Sequence, residues 1–92
     1  MLIDQNFIIE LRKALKFRLP VNHSKNYIKH LREKYPRKTL HHIIHRSNTD
    51  YLIVPLSMEE HEKRHKNPNL YFHEDLIKAL TELFLYLEKI GA

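Results

Sequence analysis

The chain is 92 residues long with 42% hydrophobic content, no cysteine and a single glycine, which bounds it to one globular domain with a modest core and excludes a disulfide scaffold or a thiolate metal site. Asp4 and Glu10 interrupt the N-terminal apolar run and no run approaches the roughly 20 residues that span a bilayer, so neither a secretory leader nor a membrane span is expected, and a soluble, cytoplasmic chain is. The net charge of +5 is concentrated: residues 12 to 46 hold eleven Lys and Arg against Glu33 alone, residues 1 to 11 carry −2 and residues 47 to 92 carry −3, the footprint of a polyanion-binding surface.

Asp4 is placed to cap a first helix whose apolar positions Phe7, Ile8, Leu11 and Leu15 follow the 3.6-residue period. Leu19-Pro20 ends it. A second helix is expected after Ser24 as cap, with Tyr27, Ile28, Leu31 and Tyr35 on one side and Lys25, Lys29 and Arg32 largely on the other, closing before Pro36. Tyr27 and Tyr35 could stack on bases, but aromatics at helical spacing are more often core.

Thr39 to His45 alternates like a strand, with Leu40, His42 and Ile44 facing one way and His41, Ile43 and His45 the other. A turn over Arg46 to Asp50 folds it back on a second strand, Tyr51 to Leu56. Ser57 and Glu60, three residues apart, form a capping-box signature that starts a helix at Met58. In that phase His61 and His65 stand one turn apart on one face, where two ring nitrogens can converge on one ion. A third ligand must then come from the preceding strands.

Asn67-Pro68-Asn69 breaks the chain. A last helix, beginning near His73 to Asp75, carries Leu76, Leu80, Leu83, Leu87 and Ile90, with Ile77 and Phe84 widening the stripe and Gly91 as its stop. Packing of this helix on the first helix is the expected use. A homodimer through it is the alternative to a monomer, because its 4, 3, 4, 3 spacing covers little more than two heptads.

The stretch LHHIIHRSNTDYLIVPLSMEEHEKRH, Leu40 to His65, resembles the HNH nuclease family, through His41-His42, Asp50-Tyr51-Leu52-Ile53-Val54-Pro55-Leu56, and His61 with His65. The resemblance implies an α+β protein: a small ββα-metal (HNH-type) core of a β-hairpin plus helix, residues 39 to 66. A basic helical part (1 to 36) and a C-terminal amphipathic helix (70 to 92) would flank this core within a single domain, residues 1 to 92. It implies that His41, His61 and His65 are metal ligands and that His42 is the general base. Many relatives hold that base with an Asn just before the second strand. Here Asp50 starts that strand and Asn48 lies two residues earlier, so both are candidates for the role, Asp50 the preferred one. Many relatives also bind a structural zinc through Cys pairs, and a chain without cysteine has no such site.

Adjacent His41 and His42 point to opposite faces of a regular strand, a difficulty that a twisted or bulged strand end would relieve. The expected activity is metal-dependent hydrolysis of nucleic-acid phosphodiesters, DNA over RNA. Its site would use one neutral imidazole to take a proton from water and one cation to meet charge on the leaving oxygen, and the resemblance implies 5′-phosphate and 3′-hydroxyl products. A histidine-rich ligand set suits zinc, nickel or manganese over magnesium. Lys25, Lys29, Arg32, Arg37, Lys38, Arg46 and His45 are the candidate phosphate contacts, with a solvated turn as the plainer reading of His45. The alternative function is a catalytically inactive, metal-stabilised module that binds nucleic acid or inhibits a nuclease. A recruiting protein partner fits either.

Overall fold

Asp4 opens the first helix as its position implies: its backbone is extended and its carboxylate accepts the Asn6 N–H at 3.3 Å, satisfying one of the orphan donors of the first turn. The computed structural model describes residues 2–19, 21–44, 51–68 and 70–91. Among these the order is β1 (Leu2–Ile3), α1 (Gln5–Arg18), α2 (Val21–Lys34), β2 (Thr39–His42), β3 (Ile53–Leu56), α3 (Met58–Lys66), β4 (Tyr71–Phe72) and α4 (His73–Ile90). This is a small α+β arrangement with two antiparallel two-stranded sheets, β1 with β4 and β2 with β3. No described helix is long and apolar enough to cross a membrane.

α2 starts at Val21, so Ser24 is an interior residue and not the expected cap. A helix that follows directly on a proline needs no donor from it, because the first N–H groups have no partner within the helix anyway. Tyr27 and Leu31 are fully buried, and the Tyr27 ring lies 6.1 Å from Tyr51 and 5.1 Å from Tyr86. Tyr27 is therefore core and unavailable to stack on a base.

β2 and β3 pair in a constant register, Thr39↔Leu56, Leu40↔Pro55, His41↔Val54 and His42↔Ile53. The Ile43 N–H continues it by donating to Leu52 O at 3.0 Å. Since hydrogen-bonding and non-bonding pairs alternate in an antiparallel ladder, Leu40↔Pro55 is a non-bonding pair, and the donor that proline lacks is not missed there.

All four β3 residues are buried, and the strand divides the core in two. Leu52, Val54 and Leu56 join Ile8, Ile43, Tyr71, Leu76 and Ala79. Tyr51 and Ile53 join Tyr27, Leu31, Leu83 and Tyr86. α4 lies across β3 and supplies both clusters, with α1 meeting it within the first. Its buried residues are Asp75, Leu76, Ala79, Leu83 and Tyr86, while Ile77 and Phe84 are 50% and 66% exposed, so the widened stripe is corrected to a narrower one. Phe7 is likewise corrected: it is 55% exposed because α1 turns Ile8 inward and leaves Phe7 at the edge. Gly91 ends α4 in the left-handed region at φ 74°, its N–H donating to Glu88 O and Leu87 O, the conformation glycine adopts without strain.

Candidate metal centre

The site begins with the phase of α3. Ser57 Oγ accepts the Glu60 N–H at 3.2 Å and Glu60 Oε1 accepts the Ser57 N–H at 3.4 Å, the reciprocal capping box. The same carboxylate accepts the Ser57 hydroxyl at 3.0 Å, and these bonds hold the Glu60 carboxyl below its ordinary pKa, the hydroxyl contributing most. With the helix so started, His61 and His65 share one face, and their Nε2 atoms lie 2.9 Å apart. β2 carries His41 into the same place, its ring centre 5.2 Å from His61 and 6.0 Å from His65.

One ligand nitrogen from each of His41, His61 and His65 falls within 4.8 Å of the others. A tetrahedral ion bonded at about 2.0–2.1 Å to each nitrogen sets such atoms about 3.3–3.4 Å apart. One pair here is slightly closer than that, and the limit of 4.8 Å leaves the remaining separations within a modest side-chain adjustment of it. The donor set fits a divalent ion. Two ring nitrogens at 2.9 Å repel unless a positive particle lies between their lone pairs, a proton on one ring or a shared cation. Burial is graded: His41 is 9% exposed, His61 intermediate and His65 open to solvent, so a ligand could reach an ion from the His65 side.

What holds α3 over β2 was not legible in the sequence. α3 has no buried residue of its own. Arg64, on the same turn as the histidines, donates through Nε to Asp75 Oδ2 at 2.6 Å and through its Nη2 to Asp75 Oδ1 at 3.0 Å. This fork-to-carboxylate pair has side chains only 18% and 5% exposed, and the guanidinium lies 4.2 Å from the centre of the Phe72 ring. The hydrogen bond to the Asp75 carboxylate, reinforced by its charge, raises the Arg64 pKa against the opposing effect of burial. Asp75 lies eleven positions after Arg64, beyond the helix-breaking Asn67-Pro68-Asn69, so neither helical nor strand periodicity predicts the pair.

His42 is not brought to the other three. The regular register through His42 and Ile43 gives no bulge at this end of β2. Alternation therefore directs His42 to the side of Ile53 and α2, across the ladder from His41 and α3. The candidates Asp50, Asn48, His45 and Arg46 lie outside the described residues. Lys25, Lys29, Arg32, Arg37 and Lys38 are exposed, as phosphate contacts require. Lys34 is instead engaged with Glu82 at 3.0 Å, and Tyr35 also donates to that carboxylate, tying α2 to α4. The Glu82 hydrogen bond, with burial adding to it, raises the Tyr35 pKa. No family model, curated protein or solved structure matches the chain.

Proposed function

We propose that the chain is a metal-dependent nuclease of the HNH type, in which β2, β3 and α3 form a ββα-metal core and His41, His61 and His65 hold one divalent ion. The observation that carries this reading is the convergence of these three imidazoles, from two elements, at ligand-compatible separations. Three imidazoles favour zinc, nickel or manganese over magnesium, which prefers oxygen and retains water. When bound, the ion supplies positive charge to a nonbridging phosphate oxygen and to the departing 3′ oxygen. His42 takes the proton from the attacking water, and Asp50, or Asn48 in its place, orients an imidazole N–H. The exposed Lys25, Lys29, Arg32, Arg37 and Lys38, together with Arg46 and His45, hold backbone phosphates, of DNA in preference to RNA. Absence of cysteine suits a reducing cytoplasm.

A second reading has a specific observation in its favour. His42 follows His41 on an unbulged ladder, which separates the base from the ligands. That geometry suits a metal-stabilised module that binds nucleic acid, or blocks a nuclease, without cutting. Plasmid nicking by the purified protein with manganese, nickel, zinc, magnesium or chelator discriminates the two. The nuclease reading expects nicking with the nitrogen-preferring ions, abolished by chelator and reduced about a hundredfold or more in His42→Ala with nucleic-acid binding retained. Binding without cleavage under every ion contradicts it and selects the module.

A further inference from the structure

α3 carries two of the three histidines, yet it has no buried side chain, so no residue locked into the core fixes its rotation about its own axis. Side-chain tips stand about 5–6 Å from a helix axis, and a rotation of about 20° therefore displaces a ring nitrogen by about 2 Å. A metal centre tolerates ligand distances within about 0.2 Å of ideal. Something other than core packing must hold the helix in phase.

Arg64 is built for that task. It lies three residues after His61 and immediately before His65. Its two-point contact with Asp75 at 2.6 Å and 3.0 Å constrains both distance and angle, which a single contact does not. Asp75 is itself fixed: it is 4% exposed in the first turn of α4, where a carboxylate is favoured by the helix dipole, and Phe72 closes the other side of the guanidinium. Phe72 belongs to β4, which is paired with β1. A second ion pair on α3, Lys63 with Glu59, has side chains 64% and 81% exposed and lies wholly within the helix, so it cannot orient α3 against anything.

We infer that Arg64 and Asp75 are positioning residues for the metal centre, a clasp that fixes the rotation of α3 so that His61 and His65 meet His41. This inference rests on the reading of the three histidines as a metal site. The Phe72 face and the α4 N-terminus make the clasp a rigid reference belonging to the rest of the molecule. It would set how tightly an ion is held and how symmetrically it is coordinated, and would leave the fold of α4 intact.

Cobalt(II) titration, read by its visible absorption, tests this alongside far-ultraviolet circular dichroism and thermal melting. Asp75→Asn is expected to remain folded, to bind cobalt about tenfold or more weakly, and to shift the cobalt absorption envelope. Arg64→Lys keeps the charge and loses the fork, and is expected to weaken cobalt binding in the same direction. Should Asp75→Asn fail to fold, Arg64→Lys decides the matter by the same readout. Glu82→Gln is the control, since it cuts the tie between α2 and α4 away from α3: its melting point should fall while cobalt affinity and spectrum stay as in the parent. Parental cobalt binding in both clasp variants, or equal weakening in Glu82→Gln, overturns the inference and leaves the metal site standing. A parent protein that binds no cobalt overturns the metal site itself, and the clasp with it.

Discussion

Single side chains decide where this chain departs from a generic small domain. Ser57 and Glu60 set the start of α3 with two reciprocal hydrogen bonds. Ser57→Ala should destabilise the protein by about 1 kcal/mol at neutral pH. The sign of its pH dependence follows from Glu60, whose folded pKa is lowered below the ordinary 4.5. A depressed carboxyl contributes stability above its unfolded pKa and loses it as pH falls through the folded one. The gap between parent and Ser57→Ala should therefore narrow below pH 4.5 in urea titrations followed by circular dichroism, and a gap that widens in acid would contradict the cap. Tyr27 presents the opposite case. Its hydroxyl is buried with no hydrogen-bond partner among the described residues, and burial raises its pKa. An unsatisfied buried hydroxyl is costly, so Tyr27→Phe should be at least as stable as the parent, by up to about 1 kcal/mol in the same titration.

At the level of elements, local signals are readable from sequence and long-range ones are not. The Asp4 cap, the capping box of α3, the antiparallel β2–β3 pair and the Gly91 stop all follow from residues a few positions apart. β1 and β4 do not: each is two residues long, and Ile3 pairs with Tyr71, so no alternation exists to detect. The same holds for Arg64 with Asp75. In α4 the period is legible while its phase is not, because Ile77 and Phe84 are as apolar as the residues facing β3. Leu83, 1% exposed, and Phe84, 66% exposed, make this testable: Leu83→Ala should cost about 2–5 kcal/mol and Phe84→Ala within about 0.5 kcal/mol of nothing. Comparable losses in thermal melts would misplace the core face. α2 is amphipathic in the expected sense, burying Tyr27 and Leu31 and exposing Lys25, Lys29 and Arg32. If those three contact phosphates, each Ala substitution should flatten the slope of log affinity against log salt by about one unit, irrespective of sequence. A triple variant with the parental slope would move the nucleic-acid surface elsewhere.

Taken as a whole, the molecule gathers its apolar mass on both faces of β3 and leaves α3 with no buried residue of its own. His41, His61 and His65 join the strand pair to that helix, so an ion bound there would add its binding free energy to a core of modest size. The three clustered histidines are identifiable from the sequence, two through their helical spacing and the third through resemblance. The separation of His42 from them is also foreseeable from strand alternation, and the unbulged register leaves the difficulty in place. The proposed catalysis would therefore need a general base across the ladder, whereas the proposed metal centre needs only the three histidines that lie together. The central claim is that centre, and zinc titration calorimetry on the parent and on His41→Ala, His61→Ala and His65→Ala tests it most directly. One ion per parent chain is predicted, with affinity reduced in every variant while His42→Ala binds as the parent does; an absence of zinc binding by the folded parent, or parental affinity in all three ligand variants, would contradict it.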